Sequence, residues 1–406
     1  PKTFAAQQTQ PKQAKGDFPE PLSPEEGLKS IVVRPGFKVE LVAGDDLVQD
    51  PVAFDWGPDG VLWVVEMADY PLGVDGKGKP GGRVKRLVDR DGDGRYDTAT
   101  TFLSDVPYPT GVKAWRKGVL VSAAPSVFYA EDTDGDGKAD KREILYEGFG
   151  EGNQQHRVNG LRWGADGWLY LGNGDSGGQI KSRKTGEAVN ISGRDLRIRP
   201  DEGLLEPQSG QTQYGRAVDD WGNWFGGNNS NPLWHYVLDD HYLRRNPHVA
   251  APPVRLNVPQ VPGASPVFPI SQTLTRFNDF HTKNHFTSAC SPEIYRDDYL
   301  GPEFIGNSFV CEPVHNLVHR EIVSPSGLTF TSRRPADEAE SEFLASRDNW
   351  CRPTMIRTGP DGALWIADMY RHVIEHPQWI PAEWQAKLNL RAVSYTHLTL
   401  PTNREV

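Results

Sequence analysis

The sequence predicts an all-β fold, a six-bladed β-propeller, on three observations. One grammar returns about every 50 residues: a short strand, an aspartate–glycine turn, then a Trp-rich strand. The 406 residues include 41 Gly, 33 Pro and 12 Trp, the balance that many short strands joined by tight turns require. A helix is predicted only over 337–346, where acidic residues precede Phe343 and Leu344.

The clearest copy of the repeat spans 156–178. An apolar run from Val158 to Trp163 meets a Gly-Ala-Asp-Gly turn, and a second run follows from Trp168 to Leu171. With the turn centred between Asp166 and Gly167, His156 falls opposite Gly177 and Val158 opposite Asp175. That pairing gathers His156, Asn159, Asn173 and Asp175 on one rim. The same pattern occurs at 50–70 and 352–370, more loosely at 108–123 and 219–229, and with a longer turn at 291–311. Repeat starts at Gln49, Pro107, His156, Thr212, Cys290 and Cys351 give six blades. Innermost propeller strands converge on one axis, so a shared pocket is expected there.

Taken in order, residues 1–24 read as a disordered, Gln/Lys/Pro-rich lead-in, and 25–378 as the propeller. Strand alternation begins near Phe37, and strand pairs are expected over 82–103 and 126–149. A short strand over 194–200 precedes a Gly/Gln-rich loop, and the Pro/Val-rich span 244–270 reads as an ordered loop across one face. Residues 379–393 look like the start of a truncated C-terminal module. Residues 394–406 match no blade pattern and read as a sequencing artefact.

A net charge of −10 and no basic run longer than two residues argue against a nucleic-acid surface. No stretch approaches the roughly 18 apolar residues of a membrane span. The sequence starts without Met and shows no signal peptide, so a mature form or a fragment is expected. Cys290, Cys311 and Cys351 fit no zinc or haem spacing. Cys290 and Cys311 lie symmetrically about the turn at 297–302, which leaves a disulfide in an oxidising compartment and two buried thiols both open.

Two aspartate loops stand out. Asp89, Asp91, Asp93 and Asp97 return as Asp132, Asp134, Asp136 and Asp140, with Gly94 and Gly137 at the sixth position. Alternating carboxylates on a tight glycine turn suit Ca²⁺, and their mutual repulsion calls for a cation. Solvated Asx turns are the plainer alternative. Two other strings mislead. Gly172–Gly177 fits Gly-x-Gly-x-x-Gly, but a polar, unperiodic stretch follows it, with no helix to hold a pyrophosphate. The Gly-Asp-Ser-Gly-Gly string at 174–178 matches a serine-protease motif, yet that family needs an upstream His and His156 is the first in the chain.

His156, the hairpin at 161–175 and the Gly-Arg-Asp-Leu-Arg-Ile-Arg-Pro-Asp run at 193–201 together resemble the soluble quinoprotein sugar dehydrogenases. That resemblance implies a six-bladed propeller in which His156 abstracts a hydroxyl proton while hydride passes to pyrroloquinoline quinone. An imidazole is a suitable base near neutral pH. Longer strings are PGFKVELVA (35–43), the two aspartate loops, DDWGNWFGGNNSNPLWHYVL (219–238), VCEPVHNLVHR (310–320) and DMYRHVIEHPQWIP (368–381). They resemble the membrane-bound dehydrogenase domain of planctomycetes and verrucomicrobia over 22–391, a family in which helical repeats and a c-type haem domain usually follow.

The leading expectation is therefore quinone-dependent oxidation of a sugar-type alcohol or aldose, with Ca²⁺ bound and electrons passed to a c-type cytochrome in an extracytoplasmic, periplasmic setting. His156 and Asp175 are the catalytic candidates. Asn159, Arg216, Arg352 and Arg371 are the cofactor candidates, the arginines chosen for rim positions that could meet cofactor carboxylates. The rivals are a glycan- or protein-binding propeller and a lyase or hydrolase using His156 with Glu66, Asp69, Asp175 and Asp368.

Overall fold

A computed structural model describes residues 19–246, 248–250, 252–261, 263, 265–272, 284–388 and 397–404. The expected lead-in lies outside the described residues as far as 18, as do 389–396 of the expected C-terminal module and tail, and 405–406. The fold is an all-β propeller, with six antiparallel sheets among the described residues. The first is a meander of Pro51–Trp56, Leu62–Glu66, Gly82–Val88 and Thr98–Val106. The second runs Gly111–Trp115, Gly118–Ala123, Ser126–Glu131 and Lys141–Phe149, and is widened by Gly178–Ser182 and Ala188–Asn190. The third takes Asn159–Trp163, Leu169–Gly172, Asp195–Arg199 and Leu204–Gln208. The fourth takes Ala217–Val218, Trp224–Asn228, Asn231–Tyr236 and Arg255–Asn257.

Segments from both ends of the sequence complete the last two sheets. The fifth joins Cys290–Ile294, Ser308–Glu312, Leu317–Ser326 and Leu344–Ser346 to Ile31–Val33. The sixth orders Pro353–Thr358, Leu364–Asp368, His397–Arg404 and Phe37–Ala43. Innermost strands sit side by side: Pro51–Trp56 on Gly111–Trp115, that on Asn159–Trp163, Ala217–Val218 on Cys290–Ile294, and Pro353–Thr358 back on Pro51–Trp56. Sheets stacked face to face bury their second strands on both sides. Accordingly Leu62–Glu66, Gly118–Ala123 and Leu364–Asp368 are buried throughout. Aromatic rings cross these interfaces, Trp56 on Trp365 at 5.1 Å and Tyr170 stacked on Trp224 at 3.9 Å.

Several expectations need correction. The organising hairpin pairs Arg162 with Tyr170 and Trp163 with Leu169, one residue out of the expected register. Gly164 N–H bonds Trp168 O and Gly167 has φ +74, so the loop is a three-residue turn with a left-handed glycine. A bulge between Asn159 and Arg162 shifts the register again, and His156 sits before the strand, in the 3-10 turn Gln154–His156.

The helix expected over 337–346 is a 3-10 turn, Ala336–Glu338, and then the strand Leu344–Ser346. Leu344 pairs with Val33 and Val318, and that sheet position overrides local propensity. Helices form instead at Asp240–Leu243, at Ala382–Lys387 and at Pro24–Ser30, the last with a capping box between Ser23 and Glu26. Part of 244–270 is not loop but the fourth strand of its sheet. Residues 397–404, set apart on sequence, pair with Phe37–Ala43 and Leu364–Asp368.

Candidate functional site

A cavity of about 300 Å³ opens on the axis, lined by residues at the ends of inner strands from several sheets. Val52 and Met67 come from the first sheet, His156 from the third, Gln213 and Asn229 from the fourth, Cys290 from the fifth, and Thr354 from the sixth. The segment after Leu364–Asp368 adds Ile374, Glu375, His376 and Trp379 to the lining. It is pinned there because Tyr70 Oη and Gln155 Nε2 both donate to the Ile374 carbonyl, at 2.6 and 2.7 Å.

His156 is held by its local fold. Asn153 caps the 3-10 turn by accepting from Gln155 N–H at 2.9 Å, and Ser176 Oγ donates to the His156 carbonyl. Gly174 must lack a side chain, since a Cβ there would stand 2.0 Å from Arg157 O. The imidazole Nε2 lies 2.8 Å from Gln213 Nε2. Burial lowers the His156 pKa, with Asp175 pulling the other way. His376 is likewise lowered by burial, then by the charges on His156 and Arg157. Burial thus favours the neutral form of both rings. The rest of the polar lining is largely amide and hydroxyl, from Gln154, Gln155, Asn229, Thr287, Ser288 and Thr354 with the Tyr70 and Tyr214 hydroxyls and the Cys290 thiol. Glu375 is the one carboxylate, and no Lys or Arg stands among the described lining residues.

Of the predicted site residues, the structure brings only His156 to this cavity. Asp175 is exposed and accepts from Gln211 at 2.8 Å. Asn159 is fully buried, donating to Arg157 O and Gln213 O and accepting from Gly215 N–H, so it ties the third sheet to the fourth. Arg216 pairs with Asp195 and Arg371 with Asp50, each at 2.6 Å and each at most 2% exposed. Arg352 donates to the carbonyls of Pro313, Val314, Arg371 and His372.

The rim carboxylates are likewise committed to structure. Glu66 accepts from Gln49 N–H and meets Arg83 and Lys85. Asp69 accepts from Tyr108 and Gly81 N–H. Asp368 accepts from Arg352 and Tyr370 N–H, and burial pushes it up to about 7. Sequence reasoning missed Gln213 and His376. Gln213 sits in a stretch read only as Gly/Gln-rich loop, and His376 in one noted for its resemblance alone.

The aspartate loops are exposed hairpin tips away from the cavity. Carboxylate oxygens of Asp89, Asp91 and Asp97 lie within 4.8 Å of one another, as do those of Asp132, Asp134 and Asp136. Asp93 and Asp140 are outside these clusters. Backbone N–H groups supply much of the expected charge compensation: Asp89 accepts from Gly92 and Gly94, Asp132 from Gly135 and Gly137, Asp97 from Arg90 and Asp140 from Thr133. Cys290 and Cys311 are register partners, and all three cysteines are free thiols. Burial pushes their pKa values well up.

Antiparallel sheets packed about a cavity make the chain an all-β propeller. It belongs to the family described as a domain of unknown function, DUF7133, whose model matches residues 23–396. No curated protein matches it. Among solved structures it is similar to the soluble aldose sugar dehydrogenase of Escherichia coli in its apo form, at 12% identity and a TM-score of 0.49, covering 91% of this chain and 100% of that one. The holo PQQ domain of pyranose dehydrogenase from Coprinopsis cinerea is 12% identical with a TM-score of 0.48, covering 92% and 97%. Virginiamycin B lyase of Staphylococcus aureus is 12% identical with a TM-score of 0.39, covering 90% and 99%.

Proposed function

We propose that the chain is a dehydrogenase-like propeller whose axial cavity takes a neutral, hydroxyl-rich molecule of the sugar class, with His156 accepting a hydrogen bond from a ligand hydroxyl. The carrying observation is the His156 imidazole, 2.8 Å from the Gln213 amide, in a cavity whose described lining holds amides and hydroxyls but no Lys or Arg. Ligand hydroxyls can exchange hydrogen bonds with the amides and hydroxyls of the lining, whereas an unpaired buried charge is costly. We count the six sheets as six blades, supported by the contact of Pro353–Thr358 with Pro51–Trp56.

The quinone is the weak part of the expectation. Pyrroloquinoline quinone carries three carboxylates, and carboxylates are held by arginines or lysines. The described lining offers neither, the three candidate arginines are engaged elsewhere, and Glu375 would repel an anion. The described residues do not fit that group. This favours, as a second reading, a propeller that binds sugar without turning it over. The lyase or hydrolase reading loses support, because Glu66, Asp69 and Asp368 are all absent from the described cavity lining and Glu66 and Asp368 are engaged by salt bridges or backbone N–H groups. A c-type cytochrome acceptor and an extracytoplasmic location stay with the dehydrogenase reading, and rest on the sequence resemblance.

Calorimetry with neutral aldoses and with uronic acids tests the cavity: the neutral sugars should bind and the acids should not. Adding the quinone, Ca²⁺ and an artificial electron acceptor separates the readings, since turnover selects the dehydrogenase and binding alone the module. If there is turnover, His156→Ala should lower it by roughly 100-fold or more. Binding of uronic acids in preference to aldoses would overturn the assignment.

A further inference from the structure

We infer that Gln213 is a positioning residue for His156, holding the imidazole as the tautomer with its proton on Nδ1 and its Nε2 an acceptor. The inference deepens the proposed role of His156 and rests on it. A glutamine amide has one donor end and one acceptor end, and its neighbours decide which faces a partner. Here the deciding neighbour is a main-chain group. Asn229 N–H can only donate, and it meets Gln213 Oε1 at 2.7 Å. The NH₂ end therefore faces His156 and stands 2.8 Å from Nε2. An NH₂ group has no lone pair to offer, so the ring nitrogen must accept. In a neutral imidazole the proton then belongs to Nδ1.

The amide is not free to turn round. Gln213 O accepts from the buried Asn159 Nδ2 at 2.7 Å, and Gln213 N–H donates to Gly227 O at 3.1 Å. Flipping the side chain would set two acceptors and two donors against each other at opposite ends. The arrangement also opposes an imidazolium, whose Nε2–H would point at the amide hydrogens. Burial acts in the same direction. Asp175 acts against it, His376 and Arg157 lie in the same neighbourhood, and Glu375 lines the same cavity.

Chemical selectivity follows. A sugar hydroxyl donates one hydrogen, as the amide does, so it can take the amide's place at Nε2 without changing the tautomer. A carboxylate has no hydrogen to give and cannot. Gln213 thus occupies the donor position that a ligand hydroxyl would fill.

Long-range ¹H–¹⁵N spectra of histidine-labelled protein distinguish the two neutral tautomers, with His156→Asn used to identify the signal. The wild type should show the Nδ1–H pattern and titrate below the ordinary value of 6.5. Gln213→Glu should flip the ring to Nε2–H and move its titration above that of the wild type, because a carboxylate demands a donor. Gln213→Ala, which deletes the donor, should give a mixed pattern and serves if the glutamate variant does not fold. An Nε2–H pattern in the wild type would overturn the inference, as would variants that leave pattern and titration unchanged. If the spectra behave as expected but no sugar binds, the functional proposal fails and the role of Gln213 stands.

Discussion

His319 shows how one buried side chain sets a pH dependence. Its Nδ1 is 2.8 Å from Glu342 Oε2 and its Nε2 is 3.3 Å from Glu321 Oε1, while Arg334 also meets Glu342. Burial lowers its pKa, but the two carboxylates outweigh burial and bring it to about 9. A folded value above the ordinary 6.5 means the stabilisation is complete below 6.5 and is lost as pH rises through 9. A shift of that size corresponds to about 3 kcal/mol. The melting temperature should fall between those limits in the wild type more than in His319→Gln, and parallel profiles would refute the pairing. At this scale the sequence was a partial guide. His156 was legible because it heads a recognisable hairpin. Gln213 was not, because it meets His156 across 57 residues. The arginines were chosen for position, and sequence does not reveal that Asp195 and Asp50 already occupy two of them.

Elements were easier to read than their registers. Each expected repeat start, from Gln49 to Cys351, is followed within a few residues by an innermost strand, since period-two patterning and Asp-Gly turns are local signals. The hairpin register was misjudged because one left-handed glycine and one bulge each shift pairing by a residue. The aspartate loops pose a question that only measurement answers. If Ca²⁺ sits among Asp89, Asp91 and Asp97, and among Asp132, Asp134 and Asp136, EDTA should lower the melting temperature by about 2 °C or more and excess Ca²⁺ should restore it. An unchanged melt would leave these carboxylates as caps for backbone N–H groups, a role their hydrogen bonds already fill.

At the scale of the whole molecule, the ring is closed by contacts that join distant parts of the chain. Ile31–Val33 and Phe37–Ala43 complete the fifth and sixth sheets. Thr354 Oγ1 donates to Pro51 O at 3.0 Å across the seam between sixth and first sheets. Arg371 reaches Asp50 at 2.6 Å and Tyr70 O at 2.6 Å, linking residues 321 apart, with both charged side chains 2% exposed. Such a pair is weak as a net contribution, because both charges lose their hydration, but breaking it leaves one charge buried alone. Arg371→Ala should therefore cost about 3–5 kcal/mol, whereas Arg371→Met combined with Asp50→Asn should recover much of that loss. A cofactor-binding arginine would behave differently: its removal would weaken the ligand and leave the apo protein's melting temperature nearly unchanged. Melting curves of the two variants without any ligand decide between these roles. A stable Arg371→Ala protein would return this residue to the cofactor site and remove it from the closure of the ring.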